Sequence, residues 1–151
     1  MRAAEFPDTL ADVLAGIQRQ IRRTLRRGTP APALRGAQVE LLRLVEESPG
    51  IGVSEAARQL GLAGNSVSTL VNQLTGSGLL RRETAPGDRR SVRLLPTPQA
   101  RARLRDWHER RGALVREQVK RLSDEDQAAL AAALPALRRL SAGLHEDLEE
   151  R

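Results

Sequence analysis

The feature that most constrains this chain is the stretch from Val53 to Thr97, VSEAARQLGLAGNSVSTLVNQLTGSGLLRRETAPGDRRSVRLLPT. Within it Val67, Leu70, Val71 and Leu74 fall at i, i+3, i+4 and i+7, the spacing that gathers apolar side chains on one side of a helix. At roughly 100° per residue, the other side carries Asn65, Ser68, Thr69, Asn72 and Gln73, with Ser66 at its edge. Short hydrogen-bonding side chains of this kind match the donor and acceptor edges that bases show in a major groove. Most surface helices have a polar face, so the neighbouring segments have to decide what this one is for.

Upstream, Ile51-Gly52-Val53 reads as a very short strand. Ser54 then offers an N-cap for a helix through Leu60, with Ala56, Ala57 and Leu60 turned inward. Gly61 supplies the left-handed residue at which helices stop. Downstream of Leu79 and Leu80 come Arg81 and Arg82, the turn residues Ala85-Pro86-Gly87-Asp88, and then Arg89, Arg90 and Arg93. Val92 and Leu94 alternate with Arg93 as in a half-exposed strand. Two short helices joined by a tight turn, followed by a hairpin with arginines at its tip, make a winged helix-turn-helix.

The order and spacing of these parts resemble the MarR family of bacterial transcription regulators, whose wing carries D-x-R followed by L-T. Here that pattern is Asp88-Arg89-Arg90, then Ser91 to Leu95 and Pro96-Thr97. SEAARQLGLAGNSVSTLVNQL follows the family as well, and the likeness extends over nearly the whole chain. It implies a mainly α fold. A winged helix-turn-helix, three helices plus a small β-hairpin wing, would be flanked by long N- and C-terminal dimerisation helices. The corresponding spans are 1–33 for the N-terminal dimerisation helix and linker, 34–96 for the DNA-binding region and 97–151 for the C-terminal dimerisation helices.

The resemblance also assigns roles. Asn65, Ser66, Ser68, Thr69, Asn72 and Gln73 become DNA-binding candidates, joined by Arg89 and Arg90 of the wing. A guanidinium on a hairpin tip can enter a narrow, electronegative minor groove, which singles out Arg90. Arg89 becomes its phosphate or groove neighbour. Asp88 would repel phosphate, so its implied role is to pair with an arginine and orient the wing. For any one arginine, a solvated hairpin tip is the plain alternative. Two departures stand out. Ala63 occupies the place where the family usually has a serine N-cap, a loss of about 1 kcal/mol unless Asn65 compensates locally. The recognition helix also carries no Arg or Lys, which removes the bidentate arginine–guanine contact from that helix. Asn65, Asn72 and Gln73 remain to read adenine, and Ser66 or Thr69 to hold phosphate.

The flanks are helical. Pro7-Asp8-Thr9 starts a helix with Leu10, Leu14, Ile17, Ile21 and Leu25 in one stripe. Arg22, Arg23, Arg26 and Arg27 suit the C-terminal end of its dipole as a solvated terminus, with contact to DNA phosphates as the alternative, and Gly28-Thr29-Pro30-Ala31-Pro32 breaks the chain. Leu34 to Glu47 is the next helix, with Leu41, Leu42, Leu44 and Val45 as core. Thr97-Pro98 caps a helix toward Arg121 that carries Leu104, Trp107, Leu114, Val115 and Val119. Ser123 and Asp126 are spaced as a capping box for the last helix. There Leu130, Leu134, Leu137, Leu144 and Leu148 form a seam, with Pro135 expected to kink it near Ala131 to Ala132. An intramolecular core is one use for these leucines. A 45-residue winged segment offers too little core for so much apolar stripe, which favours dimerisation through Leu10, Leu14 and Ile17 with the seam.

The net charge of +6 favours a polyanionic partner. Its weight is limited because arginine is the default base here, Lys120 being the only lysine. With no cysteine there are no disulfides, thiolate zinc sites or thiol sensors. Phe6 and Trp107 are the only aromatics, too few for a base-stacking single-strand binder. His108 and His145 lack convergent partners for a metal. No nucleophile motif or phosphate-binding loop is present, so neither an enzyme nor a cofactor is expected. No apolar run approaches the ~20 residues of a membrane span, and the expected location is cytoplasmic. The expected partners are double-stranded DNA and a second copy of the chain. The resemblance leaves room for a small-molecule effector, commonly a lipophilic anion held in a cleft between the dimerisation and DNA-binding parts, where Trp107 is either a lining or a core residue. The competing reading is a winged-helix protein-interaction module that has lost specific DNA reading. A non-specific architectural binder fits less well, because the wing tip has no apolar wedge.

Overall fold

The computed structural model describes residues 5–28, 34–85 and 87–149, with the side chains of residues 85, 89, 90, 148 and 149 outside that description. Among the described residues six helices and three strands follow in order: α1 (Phe6–Arg27), α2 (Gly36–Glu47), β1 (Ile51–Gly52), α3 (Val53–Leu60), α4 (Gly64–Gly76), β2 (Leu80–Ala85), β3 (Asp88–Pro96), α5 (Pro98–Val119) and α6 (Asp124–Glu149).

The strands form one antiparallel sheet in the order β1-β3-β2, with Ile51 opposite Leu94. From Leu80↔Pro96 to Thr84↔Val92 the hairpin is regular. Successive side chains of a strand point to opposite faces, so Leu80, Arg82 and Thr84 share a face with Pro96, Leu94 and Val92. Leu80 and Leu94 are buried, which marks that face as the one lying on the core. Between Thr84 and Ala85 the register shifts, and Ala85 stands opposite Asp88. The backbone of Arg89 and Arg90 follows directly on this irregular rung of β3. Gly87 turns the hairpin at φ +85, a conformation that costs glycine little.

The core gathers around α4. Its Val67, Val71 and Leu74 are fully buried against Leu41, Leu42 and Val45 of α2 and Leu94 of β3. Ala56 and Ala57 of α3 and Ala100 and Leu104 of α5 close the cluster, and Leu70, Leu44, Leu60 and Trp107 pack on it half-buried.

Most helix ends behave as the sequence implies. Gly61 is left-handed at φ +62 and ends α3, and Leu62 N–H reaches back to the Ala57 carbonyl at 3.0 Å. Ala63 holds the cap position of α4 with no side-chain hydrogen bond. Thr97 caps α5, accepting from Ala100 N–H at 3.2 Å. Ser123 Oγ accepts from Asp126 N–H at 3.1 Å and donates to its carboxylate at 2.9 Å. Two expectations are corrected. Ser54 does not cap α3: β1 runs straight into the helix, so extended Gly52 takes the cap position and Ser54 lies in the first turn. Helix α2 begins at Gly36 rather than Leu34, with Gln38 Oε1 accepting from Arg35 N–H at 2.8 Å. The last helix continues through Pro135.

The two terminal helices are largely unburied. On α1 the stripe divides: Leu25 is buried and Leu10 and Ile21 are half-buried, but Leu14 and Ile17 stay 40% and 53% exposed. Along α6, Leu130, Leu134 and Leu144 are 49–60% exposed and Leu137 is half-buried. The Leu148 side chain lies outside the described residues.

Candidate nucleic-acid interface

Helix α4 is held by its apolar side, and that fixes what its other side presents. Asn65, Ser66, Ser68, Thr69, Asn72 and Gln73 are all exposed along one row. Thr69 Oγ1 donates to the Asn65 carbonyl at 3.0 Å, which leaves its lone pairs outward. Two of the amides have partners on other elements. Gln73 Oε1 accepts from Gln38 Nε2 of α2 at 3.1 Å. Asn72 Oδ1 accepts from the Arg82 guanidinium of β2. Neither Arg82 nor Gln38 stood among the sequence-predicted site residues. The alternation Leu80, Arg82, Thr84 was the available signal for Arg82, since it puts that residue on the face of the sheet turned to α4. No local pattern announces the Gln38–Gln73 pair, which joins residues 35 positions apart.

Arg82 of β2 brings positive charge to this row. Arg89 and Arg90 enter through their backbone in β3; their side chains, and with them their expected groove contacts, lie outside the described residues. Asp88 opens β3, exposed, at the Ala85 rung. On the outer face of β2, Arg81 and Glu83 pair at 2.9 Å. None of the described ion pairs involves Arg82. In α3, Glu55 accepts from Arg58 at 2.6 Å and 3.0 Å and from Gln59 at 2.7 Å. These hydrogen bonds to the ionised form, Arg58 first, hold its carboxyl at about 2 instead of the ordinary 4.5.

A cleft of about 600 Å³ opens between α1, α2 and α5. Arg19, Arg22, Arg23 and Arg26 line it from α1, Arg43 from α2, and Arg103, Arg110 and Arg111 from α5, against the carboxylates of Glu40 and Asp106. Leu25, Leu34, Val39 and Trp107 give it an apolar floor. The Arg111 guanidinium stacks 4.7 Å from the centroid of the Trp107 ring. Burial, with the charge of Arg43, lowers its pKa from the usual arginine value, so this is a place where positive charges crowd. Arg22 lies 4.0 Å from Glu40 and Arg110 lies 3.7 Å from Asp106. Arg22, Arg23 and Arg26 are thus cleft-lining residues rather than merely a solvated helix end. Trp107 is both things the sequence left open, half-buried on the core and exposed to the cleft.

Among the described residues no group of histidines and carboxylates could hold a metal ion, and no helix is long and apolar enough to cross a membrane.

Residues 34–91 match the model of the MarR family. A transcriptional regulatory protein for the hcr operon of Thauera aromatica is 33% identical over 105 residues, which span 66% of this chain. The chain covers about 60% of the length of that curated relative. Two solved structures share the fold at 20% identity. Streptococcus pneumoniae FabT, in complex with DNA, superposes with a TM-score of 0.72 over 95% of this chain and 99% of that one. The PcaV transcriptional regulator of Streptomyces coelicolor, in complex with its natural ligand, gives 0.64 over 94% and 96%.

Proposed function

We propose that this chain, whose residues 34–91 match the model of the MarR family, is a member of that family and a homodimeric regulator of transcription that binds double-stranded DNA sequence-specifically and represses from a palindromic operator. The observation that carries the reading is the exposed polar row of α4 standing beside an arginine-bearing hairpin. A helix in the major groove reads bases, and the wing reaches the adjacent backbone or minor groove. Asn65, Ser66, Ser68, Thr69, Asn72 and Gln73 face the major groove, Arg90 the minor groove, and Arg89 the phosphates beside it. Asp88 sets the wing's conformation.

The uncovered leucines of α1 and α6 support the homodimer. Two copies pairing Leu14 and Ile17 with the Leu130-to-Leu144 seam remove those side chains from water, and a C2 pair presents two recognition helices to an inverted repeat. The arginine-lined cleft between α1, α2 and α5 supports a small aromatic anion as effector. Its carboxylate meets the guanidinium groups and its ring lies on Trp107 and Leu25. Cleft and recognition helix share α2, so occupancy can alter how far apart the two recognition helices stand. Such a regulator works in the cytoplasm, where its operator lies.

The test is a duplex-binding titration with two variants. Arg90→Ala lowers affinity for the preferred duplex sharply, and Asn72→Ala changes which duplex is preferred. If both variants bind the same duplexes as strongly as the parent protein, the reading is wrong.

A further inference from the structure

Asparagine reads adenine with both ends of its amide, the oxygen accepting from N6–H and the nitrogen donating to N7. In this protein the oxygen end of Asn72 is already engaged, because Arg82 of β2 donates to Oδ1. The approach is built into the sheet. Arg82 stands opposite Leu94 in the hairpin register, and Leu94 is fully buried against the core that holds α4. The Arg82 side chain is therefore directed along the core face of the sheet and emerges, exposed, at the polar row of α4.

We infer that Arg82 is a specificity-determining residue: it supplies from β2 the arginine that α4 lacks, and with Asn72 it forms a donor-only pair that selects guanine over adenine. This rests on the DNA-binding reading above. A guanidinium has five N–H donors, so one spent on Asn72 leaves four. Guanine offers two acceptors in the major groove, N7 and O6, and arginine meets both at once. Asn72 adds a third donor through Nδ2. A second lone pair remains on Oδ1, but an adenine amino group seeking it would approach a donor already in place and the positive charge behind it. Gln73 follows the same logic. Its Oε1 accepts from Gln38 Nε2 at 3.1 Å, and Gln38 is itself oriented by accepting from Arg35 N–H at 2.8 Å. What Gln73 turns outward is again an N–H donor.

The test selects duplexes from a random library with the parent protein, Arg82→Ala, Arg82→Lys and the double variant Arg82→Ala/Asn72→Ala, and then measures affinity base by base on each winner. The parent protein should require a guanine in each half-site, with replacement of that base weakening binding roughly 5- to 150-fold, the range of one bidentate pair. Arg82→Ala should lose that requirement and gain a preference for adenine as the Asn72 amide is released. The added Asn72→Ala change should abolish the new preference. Arg82→Lys should lose the guanine requirement while keeping the parent's salt dependence, because the charge stays and the fork is lost. That comparison also separates a specificity role from a folding defect. If Arg82→Ala selects the parent's site with uniformly lower affinity and a salt slope smaller by about one, Arg82 holds a phosphate and the inference is overturned while the DNA-binding reading stands. If the parent protein selects no site at all, both fall.

Discussion

Thr97 joins the wing to the helix that follows, and its hydroxyl has two tasks. It accepts from Ala100 N–H at 3.2 Å, capping α5, and donates to the Gly78 carbonyl at 2.7 Å in the turn between α4 and β2. Thr97→Ala removes both bonds. Loss of the cap costs about 1 kcal/mol, and loss of a neutral hydrogen bond costs about 1 kcal/mol more. The expected destabilisation is about 2 kcal/mol. For a chain of this size that is a fall in Tm of roughly 4–8 °C. Thr97→Val keeps the branched shape without the hydroxyl and should fall equally far. Thr97→Ser keeps the hydroxyl and should stay within about 0.5 kcal/mol of the parent, the range of changes that break no special feature. Urea unfolding and scanning calorimetry measure this at one fixed protomer concentration, since association adds to apparent stability. A valine variant as stable as the parent would refute the reasoning, because packing and not hydrogen bonding would then hold the junction.

Three further outcomes are expected. Glu55, with its carboxyl held at about 2, binds protons less readily folded than unfolded. Its contribution to stability is therefore complete above pH 4.5 and is lost as pH falls toward 2. Melting curves of Glu55→Gln should lack that part of the parent's acid destabilisation, and identical pH profiles would contradict it. Leu134→Glu with Leu144→Glu places charges on positions 49% and 60% exposed in the single chain, so the fold should survive while sedimentation shows the mass halved; a parent protein that sediments as one protomer would end the dimer reading. Trp107 is the only tryptophan, so its fluorescence reports on the cleft. Benzoate should quench it saturably, with binding several-fold weaker in Arg111→Gln, and a linear, non-saturating response would speak against an anion site.

Periodicity made the centre of the fold legible. The spacing of Val67, Leu70, Val71 and Leu74 shows which side of α4 is buried, and the alternation of Val92 and Leu94 shows which side of β3 meets it. Caps were legible where the signal is local, as at Gly61, Thr97 and Ser123. Ser54 misleads for a tertiary reason: pairing of Ile51 with Leu94 delivers the chain to the helix in extended form, and Gly52 then fits the cap position. The polar row of α4 was readable as exposed, but the partners of its amides were not. Arg82 is ten positions from Asn72 and Gln38 lies on another helix from Gln73, so which amide oxygens are occupied depends on how strands and helices are stacked. The same holds for the cleft. Arg22, Arg23 and Arg26 look like a dipole-satisfying helix end until α1 is laid beside α2 and α5.

The central claim is that this chain reads duplex sequence as a dimer. The most direct measurement is selection of duplexes from a random library by the purified protein, followed by binding of the winner over a range of salt concentrations. Enrichment of an inverted repeat with half-site centres about one helical turn apart, bound in preference to scrambled duplex at every salt concentration, is the predicted result. A library that stays flat, with binding that disappears as salt rises, would contradict the claim and point to a winged helix that engages another protein instead.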